Sequence, residues 1–321
     1  MLRILLVKTS SLGDVVHNFP AVTGLRCHLP NAHIDWAVEE AYAPLVALHP
    51  GVNEVIPVAI RRWRRNFARR ATWREYGALR RRLASRPYDR IIDSQGLVKS
   101  AWIARLAAGE HIGLSKQTAR ESLASRFYDS TFHIPLHLHA VERNRMLVAH
   151  AMKFGVEGPI DYGLRKLSGG PESKATPPYA VFLHGTSRAD KEWQEDAWRA
   201  TGHALAKRGL QIILPWGSAN EEIRSKRLAE GITAAIVPPR RSIDQMASLL
   251  AGARVIVGVD TGLVHLGAAL GVPTVAIFRG SDPALTGPVG QGPIAICGSA
   301  VLAPTVAEVL SAVDRVMADA C

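Results

Sequence analysis

Four stretches of this 321-residue sequence set chemically able side chains directly behind short apolar runs, where a chain leaving a β-strand turns into a helix. The first is Lys8-Thr-Ser-Ser-Leu-Gly-Asp14, behind Ile4 to Val7. It has neither the GxGxxG of a dinucleotide-binding turn nor the GK[ST] of a P-loop. Gly13 permits a sharp turn, and Asp14 falls at the start of the helix that follows. Two readings compete for Asp14. As an N-cap it satisfies free backbone N–H groups. As a general base at an interdomain cleft it takes a proton from an attacking hydroxyl. A helix N-terminus lowers the pKa of such a carboxylate and weakens it as a base, whereas desolvation pushes the other way.

The second stretch is His184-Gly-Thr-Ser-Arg-Ala-Asp-Lys-Glu-Trp193, in which Thr186 and Ser187 offer hydroxyl donors and Lys191 a cation, a set suited to phosphate. In the third, Gly258-Val-Asp-Thr-Gly-Leu-Val-His265, Gly262 and the free N–H groups of the next helix form an anion site. Asp260 stands just ahead of it, placed for sugar hydroxyls, and His265 falls on the first turn as either a ligand contact or a structural histidine. The fourth is Pro215-Trp-Gly-Ser-Ala-Asn-Glu-Glu222, where a carboxylate either accepts both hydroxyls of a ribose or favours the helix dipole. No D-x-D pair and no HExxH occurs, so a dedicated metal site is not expected, and charge on a leaving pyrophosphate must be met by a helix end, hydroxyls and lysine.

The elements that position these loops follow from the hydropathy pattern. Short apolar runs alternate with helical stretches, the pattern of parallel α/β architecture. Strands are expected at Leu2–Val7, Ile34–Val38, Val55–Ile60 and Arg90–Asp93, separated by helices near 14–28, 73–85, 97–108 and 139–153. After a Pro/Gly/Ser-rich linker at 168–178, further strands are expected at Tyr179–His184, Gln211–Pro215, Ala234–Val237, Val255–Val259 and Thr274–Phe278. Their helices lie near 195–208, 220–230, 242–251 and 262–270, with a last one near 304–319. The domains so drawn are 1–167, 179–302 and a C-terminal helix within 303–321 that packs back on the N-terminal domain. The expected fold is two doubly wound units facing one another across a central cleft, with ligands outside the carboxyl ends of the strands.

Composition narrows the class. Hydrophobic residues make up 47% and charged residues 21%, enough apolar material for real cores, which excludes disorder and collagen-like repeats. Cys27, Cys297 and Cys321 are odd in number and far apart, which excludes a disulfide framework and suits a reducing compartment. Lys8 cuts off the N-terminal apolar run, so a signal peptide is not expected, and Val257 to Phe278 mimics a membrane span but contains Asp260, Gly271 and Pro273. The net charge of +11 is carried entirely by residues 1–167, which hold 25 Lys/Arg against 14 Asp/Glu, while the rest balances. Within Arg61 to Arg90 stand 12 arginines, two acidic residues (Glu75 and Asp89) and the interleaved Trp63, Phe67, Trp73 and Tyr76. Arginine binds phosphate and carboxylate in a planar fork. The patch is read either as a solvated basic helix face or as a surface for nucleic acid, an anionic membrane or a large phosphorylated substrate.

Together these loops closely resemble the lipopolysaccharide heptosyltransferase I family, ADP-heptose-using glycosyltransferases of GT-B fold. The resemblance runs over nearly the whole chain. It is carried by Lys8 to Asp14, Val58-Ala-Ile-Arg-Arg-Trp-Arg64, Asp93-Ser-Gln-Gly-Leu-Val-Lys-Ser100, Gln117-Thr-Ala-Arg-Glu121, Asp190-Lys-Glu-Trp193 and Val259 to His265. What it implies is inverting transfer of heptose from ADP-L-glycero-β-D-manno-heptose to the first Kdo of Kdo2-lipid A, with no further cofactor. Asp14 matches the catalytic base. Thr186, Ser187 and Lys191 match residues facing the donor phosphates. Asp260 matches the carboxylate holding heptose hydroxyls, with Thr261, Gly262 and His265 completing the turn and Glu221 on the ribose side. Ser10, Arg61, Arg62, Arg65 and Arg120 match the acceptor side. The family also implies a cytoplasmic enzyme in peripheral contact with the anionic leaflet of the inner membrane. Alternatives are a second heptosyltransferase, another sugar-nucleotide transferase or epimerase, and a nucleic-acid-binding protein using residues 61–90. The neutral second half and the lack of a recognisable binding module speak against nucleic acid.

Overall fold

The computed structural model describes residues 1–164, 177–186, 188–279 and 282–320. They form two compact units, Met1–Pro159 and Ile160–Cys321. The division falls ahead of the expected break after residue 167, and most of the 168–178 linker lies outside the described residues.

The first unit is built on six parallel strands: β1 (Arg3–Val7), β2 (His33–Glu39), β3 (Glu54–Val58), β4 (Arg90–Asp93), β5 (Glu110–Leu114) and β6 (Ser130–Phe132). Their order is β3-β2-β1-β4-β5-β6. Ile4 through Val7 are fully buried, a continuous apolar run because a parallel sheet is covered on both faces. The helices are α1 (Leu12–Val16), α2 (Phe19–His28), α3 (Ala43–Val46), α4 (Ile60–Arg65), α5 (Arg70–Ala84), α6 (Val98–Ala104) and α7 (Ala140–Met152). The single helix expected over 14–28 is two, because Pro20 has no N–H to donate and is tolerated only in a first turn. Ile60, expected to end a strand, opens α4 instead.

The second unit repeats the plan with β7 (Tyr179–Leu183), β8 (Gln211–Ile213), β9 (Ala235–Ile236), β10 (Val255–Val259), β11 (Thr274–Arg279) and β12 (Ile294–Ser299), in the order β12-β11-β10-β7-β8-β9. Counted from its own first strand, this is the order of the first sheet. Its helices are α8 (Glu195–Lys207), α9 (Ala219–Glu230), α10 (Ile243–Ala251), α11 (Gly262–Ala269), α12 (Pro283–Thr286) and α13 (Val306–Ala318). α13 lies on β11, β12 and α8, burying Val309, Ala312, Val313 and Val316 in the second core. The apolar stretch 257–278 is the end of β10, then α11 and β11, and no helix among the described residues is long and apolar enough to cross a membrane. Two doubly wound units of this kind are what the expected GT-B fold requires. In each, strand order reverses at one place, between β1 and β4 and between β7 and β10, and the carboxyl ends there form the ligand crevice of such sheets.

Candidate functional site

At the first crossover the loops leaving β1 and β4 are stitched together. Thr9 donates to Gln95 Oε1 from its backbone N (2.7 Å) and its Oγ1 (2.8 Å). Gln95 N in turn donates to the buried Asp93 Oδ1 (2.8 Å), while Tyr128 and Ser100 donate hydroxyl protons to Asp93 Oδ2. Burial raises the Asp93 pKa, with these donors pulling against it. Gly96 has φ +67°, and a Cβ on it would come within 3.3 Å of Arg120 N, so glycine lets the loop carrying Arg120 lie against this turn.

Asp14 is not the cap of α1; Ser11 holds that position. Asp14 is the third helical residue, and its Oδ2 accepts from Ser11 N (2.9 Å) and Ser11 Oγ (3.0 Å), as the acidic member of a capping box does. The same carboxylate is gripped by Arg120, with Nη2 on Oδ1 at 2.6 Å and Nη1 on Oδ2 at 3.3 Å. Its side chain is only 13% exposed. Burial pushes the Asp14 pKa up, but Lys8 and Arg120 outweigh it and hold the carboxyl down at about 2. Lys8 is buried as well and donates Nζ to Ser94 O (2.8 Å) and Asn144 Oδ1 (3.2 Å). Burial, opposed by Asp14, lowers the Lys8 pKa to about 8, which leaves it mainly cationic at neutral pH. Lys8, Asp14, Ser94, Arg120, Arg143 and Asn144 line one pocket. The expected acceptor-side Ser10 is buried beside it and accepts from Lys99 Nζ at 3.0 Å.

The remaining acceptor-side arginines sit on α4. Arg61 covers the Tyr42 ring at 5.5 Å, and its backbone N donates to Glu39. Arg62 is already engaged: it donates to both oxygens of Glu40 and both of Glu75 at 2.8–3.0 Å. Arg65 is exposed on the last turn. Exposed Phe67 and Trp73 follow between α4 and α5 and on α5, and exposed Trp102 of α6 donates Nε1 to the Tyr76 hydroxyl of α5 (2.8 Å).

In the second unit β7 leads into Gly185 and Thr186, and β10 into Asp260 and Thr261, on paired strands. Lys191, on the short 3-10 turn Ala189–Lys191, donates Nζ to Asp260 Oδ2 at 2.5 Å. His265 Nε2 lies 3.7 Å from Asp260 Oδ1. Thr261 is the N-cap residue of α11, and Gly262 opens that helix. Five of the expected donor-side residues are thus gathered at one turn. Glu221 keeps both of its readings. Its Oε2 accepts from Gly217 N (2.7 Å) and Ser218 N (3.0 Å) at the start of α9. Its Oε1 faces Gly185, where a Cβ would stand 2.8 Å away. Thr186 is half-buried next to it, and Ser187 lies outside the described residues.

Three contributors escape sequence reasoning. Lys8 and Arg143 surround Asp14, and the only signal for Lys8 is a cation closing an apolar strand. His184, the residue before Gly185, is fully buried with Nε2 2.8 Å from Ser225 Oγ, tying the turn to α9. Burial, with Arg224 nearby, lowers the His184 pKa to about 4. Among the described residues one trio of metal-type ligands comes together, His33, Asp35 and Glu54, at the amino ends of β2 and β3 and so remote from these loops. Arg3 and Tyr88 already bond Asp35, and Arg82 bonds Glu54.

Residues 76–310 match the profile of glycosyltransferase family 9 (heptosyltransferase). Lipopolysaccharide heptosyltransferase 1 of Pseudomonas aeruginosa is 46% identical over 298 residues, 91% of this chain and 83% of that protein. The E. coli heptosyltransferase WaaC with ADP is similar with a TM-score of 0.91 at 42% identity, covering 98% of this chain and 99% of that one. WaaC with ADP-2-deoxy-2-fluoro heptose gives a TM-score of 0.84 at 44% identity, over 92% and 93% of the two chains. The family match spans most of the sequence, the curated relative is well above the identity at which families diverge, and the chain therefore belongs to glycosyltransferase family 9, the heptosyltransferases.

Proposed function

We propose that this enzyme transfers L-glycero-D-manno-heptose from ADP-L-glycero-β-D-manno-heptose to the first Kdo of Kdo2-lipid A, with inversion at the anomeric carbon. The observation that carries the reading is an enclosed, ionised carboxylate, Asp14, at the first sheet's crossover, in a chain this similar to a lipopolysaccharide heptosyltransferase 1. Asp14 accepts the proton of the Kdo hydroxyl as its oxygen attacks through an oxocarbenium-like transition state. Arg61, Arg65, Arg120 and Ser10 meet the phosphates and carboxylates of the acceptor. Arg62 contributes less directly, since Glu40 and Glu75 hold it.

On the donor side, Lys191, Thr186 and Ser187 take the phosphates, and Asp260 the heptose hydroxyls, with Thr261, Gly262 and His265 completing that turn. Glu221 uses its Oε1 for the ribose while Oε2 stays on the backbone. The start of α11 and the Lys191 ammonium stabilise departing ADP. The lipid anchor of the acceptor brings the enzyme to the cytoplasmic face of the inner membrane, where the arginines of α4 and α5, with Phe67 and Trp73, suit an anionic leaflet. An ADP-release assay with Kdo2-lipid A tests donor, acceptor and chemistry together. Release that depends on both substrates is expected. Acceptor-dependent release with UDP- or GDP-sugars but not with ADP-heptose overturns the reading.

A further inference from the structure

We infer that Arg120 is a specificity-determining latch on the base: it occupies Asp14 until an anionic group on the acceptor draws it away, so that only an acceptor carrying such a group frees Asp14 to take a proton. The inference rests on the role proposed above for Asp14. Both carboxylate oxygens are engaged, Oδ1 by Arg120 Nη2 at 2.6 Å and Oδ2 by Arg120 Nη1, Ser11 N and Ser11 Oγ. Oδ2 is saturated by three donors and Oδ1 is shared with the guanidinium, so the carboxylate is a feeble base while Arg120 holds it. Its four partners differ in freedom. Ser11 is fixed by the helix start it belongs to, whereas the Arg120 side chain is 47% exposed and can swing without disturbing a core.

Charge supplies the reason for it to move. Three cations, Lys8, Arg120 and Arg143, line the pocket around the single carboxylate of Asp14. The surplus of positive charge attracts a second anion. Lys8 is held by Ser94 and Asn144 and Arg143 by Thr118 O (2.7 Å), which leaves Arg120 as the cation able to follow it. A carboxylate or phosphate in a planar fork with Arg120 replaces Asp14 there, and Asp14 keeps Lys8 nearby as its counter-charge. The attacking hydroxyl then gives its proton to Asp14 and its oxygen bonds to the anomeric carbon. The bond from that carbon to the β-phosphate oxygen breaks, and both electrons leave on ADP. Water in place of the acceptor gives free heptose and ADP by the same balance, and the latch suppresses that side reaction while no acceptor is bound.

The test compares wild type, Arg120→Gln and Arg120→Lys on Kdo2-lipid A and on the same acceptor with its Kdo carboxylates methyl-esterified, at saturating donor. Wild type is expected to lose tenfold or more in kcat on the esterified acceptor. Arg120→Gln should narrow that ratio to about twofold and release ADP several-fold faster than wild type when acceptor is absent, with Arg120→Lys in between. Adding Asp14→Ala to Arg120→Gln should abolish the uncoupled release. A residue that only binds acceptor changes KM and leaves the kcat ratio and uncoupled release as they were; that result overturns the latch. Thermal shift with ADP verifies that the variants are folded. Failure of wild type to turn over on Kdo2-lipid A itself sinks the proposed function instead, so the two failures are separable.

Discussion

Replacing Lys191 by Met removes one side of the Lys191–Asp260 pair, whose side chains are 16% and 12% exposed and whose atoms lie 2.5 Å apart. Breaking a fully buried pair from one side costs about 3–5 kcal/mol, because the remaining charge has no counter-ion. Here some solvent reaches Asp260, which reduces the cost to about 2 kcal/mol. For a unit of this size that is a fall of about 4–8 °C in Tm. The double variant Lys191→Met with Asp260→Asn strands no charge and should recover most of the loss, a coupling of about 1 kcal/mol or more. On the donor role proposed for Lys191, neither variant offers a cation to a phosphate. A lost charge-assisted hydrogen bond of about 1.5–3 kcal/mol raises the donor KM about tenfold or more and spares the acceptor KM. Thermal denaturation with and without ADP, alongside steady-state ADP release at varied donor, measures both effects. A single variant melting within 1 °C of wild type, or strict additivity in the double variant, refutes the argument from the pair; an unchanged donor KM removes Lys191 from the donor side.

Asp14→Ala should lower kcat by about 10²–10⁴-fold, the usual worth of a general base, while ADP-sugar affinity measured by calorimetry stays near wild type. Arg61→Ala and Arg65→Ala should raise the acceptor KM in a manner that added salt blunts, and Arg62→Ala should do so less because Glu40 and Glu75 already hold that guanidinium; steady-state kinetics at two ionic strengths separate the three. His184 sets a pH dependence. An unfolded histidine takes up its proton near 6.5 and buried His184 only at about 4, so the unfolded chain binds more protons in between and stability falls as pH drops through that window. The full effect is on the order of 3 kcal/mol, and His184→Gln should flatten the urea midpoint over pH 6.5 to 4 relative to wild type.

Much of the scaffold is legible from residue order because parallel strands buried on both faces leave long aliphatic signatures: Ile4 to Val7 and Val255 to Val259 are examples. Signals fade where burial is partial or residues are small. In Glu110-His-Ile-Gly-Leu114 the alternation is broken by Gly113, whose missing Cβ makes room for the Tyr128 ring, and β6 is a three-residue edge. β12 opens Ile-Ala-Ile-Cys before Gly298, where φ is +81°. At the site, residue types locate the reactive turns but not their mutual contacts. Asp14 with Arg120, and Lys191 with Asp260, are separated by 106 and 69 positions, and only folding reveals that each pair is an ion pair. The same holds for Arg62, which as a bare arginine reads as available for a ligand, while Glu40 and Glu75 approach it from two other elements. The apolar stripe of α13 is plain in the residue order, but that it covers β11 and β12 is a matter of connectivity that the stripe does not encode.

The enclosed ammonium at the end of β1 has a price in endurance. An ordinary lysine releases its proton near 10.5 and Lys8 near 8. Across that interval the unfolded chain retains a proton that the native form has surrendered, so alkalinity, through this group alone, favours the native form. Below the interval the amino-terminal lobe carries the whole handicap of a sequestered positive charge. The protein is thus least robust, as far as this side chain is concerned, where the ammonium stands charged beside the Asp14 carboxylate, and it gains endurance only by giving that charge up.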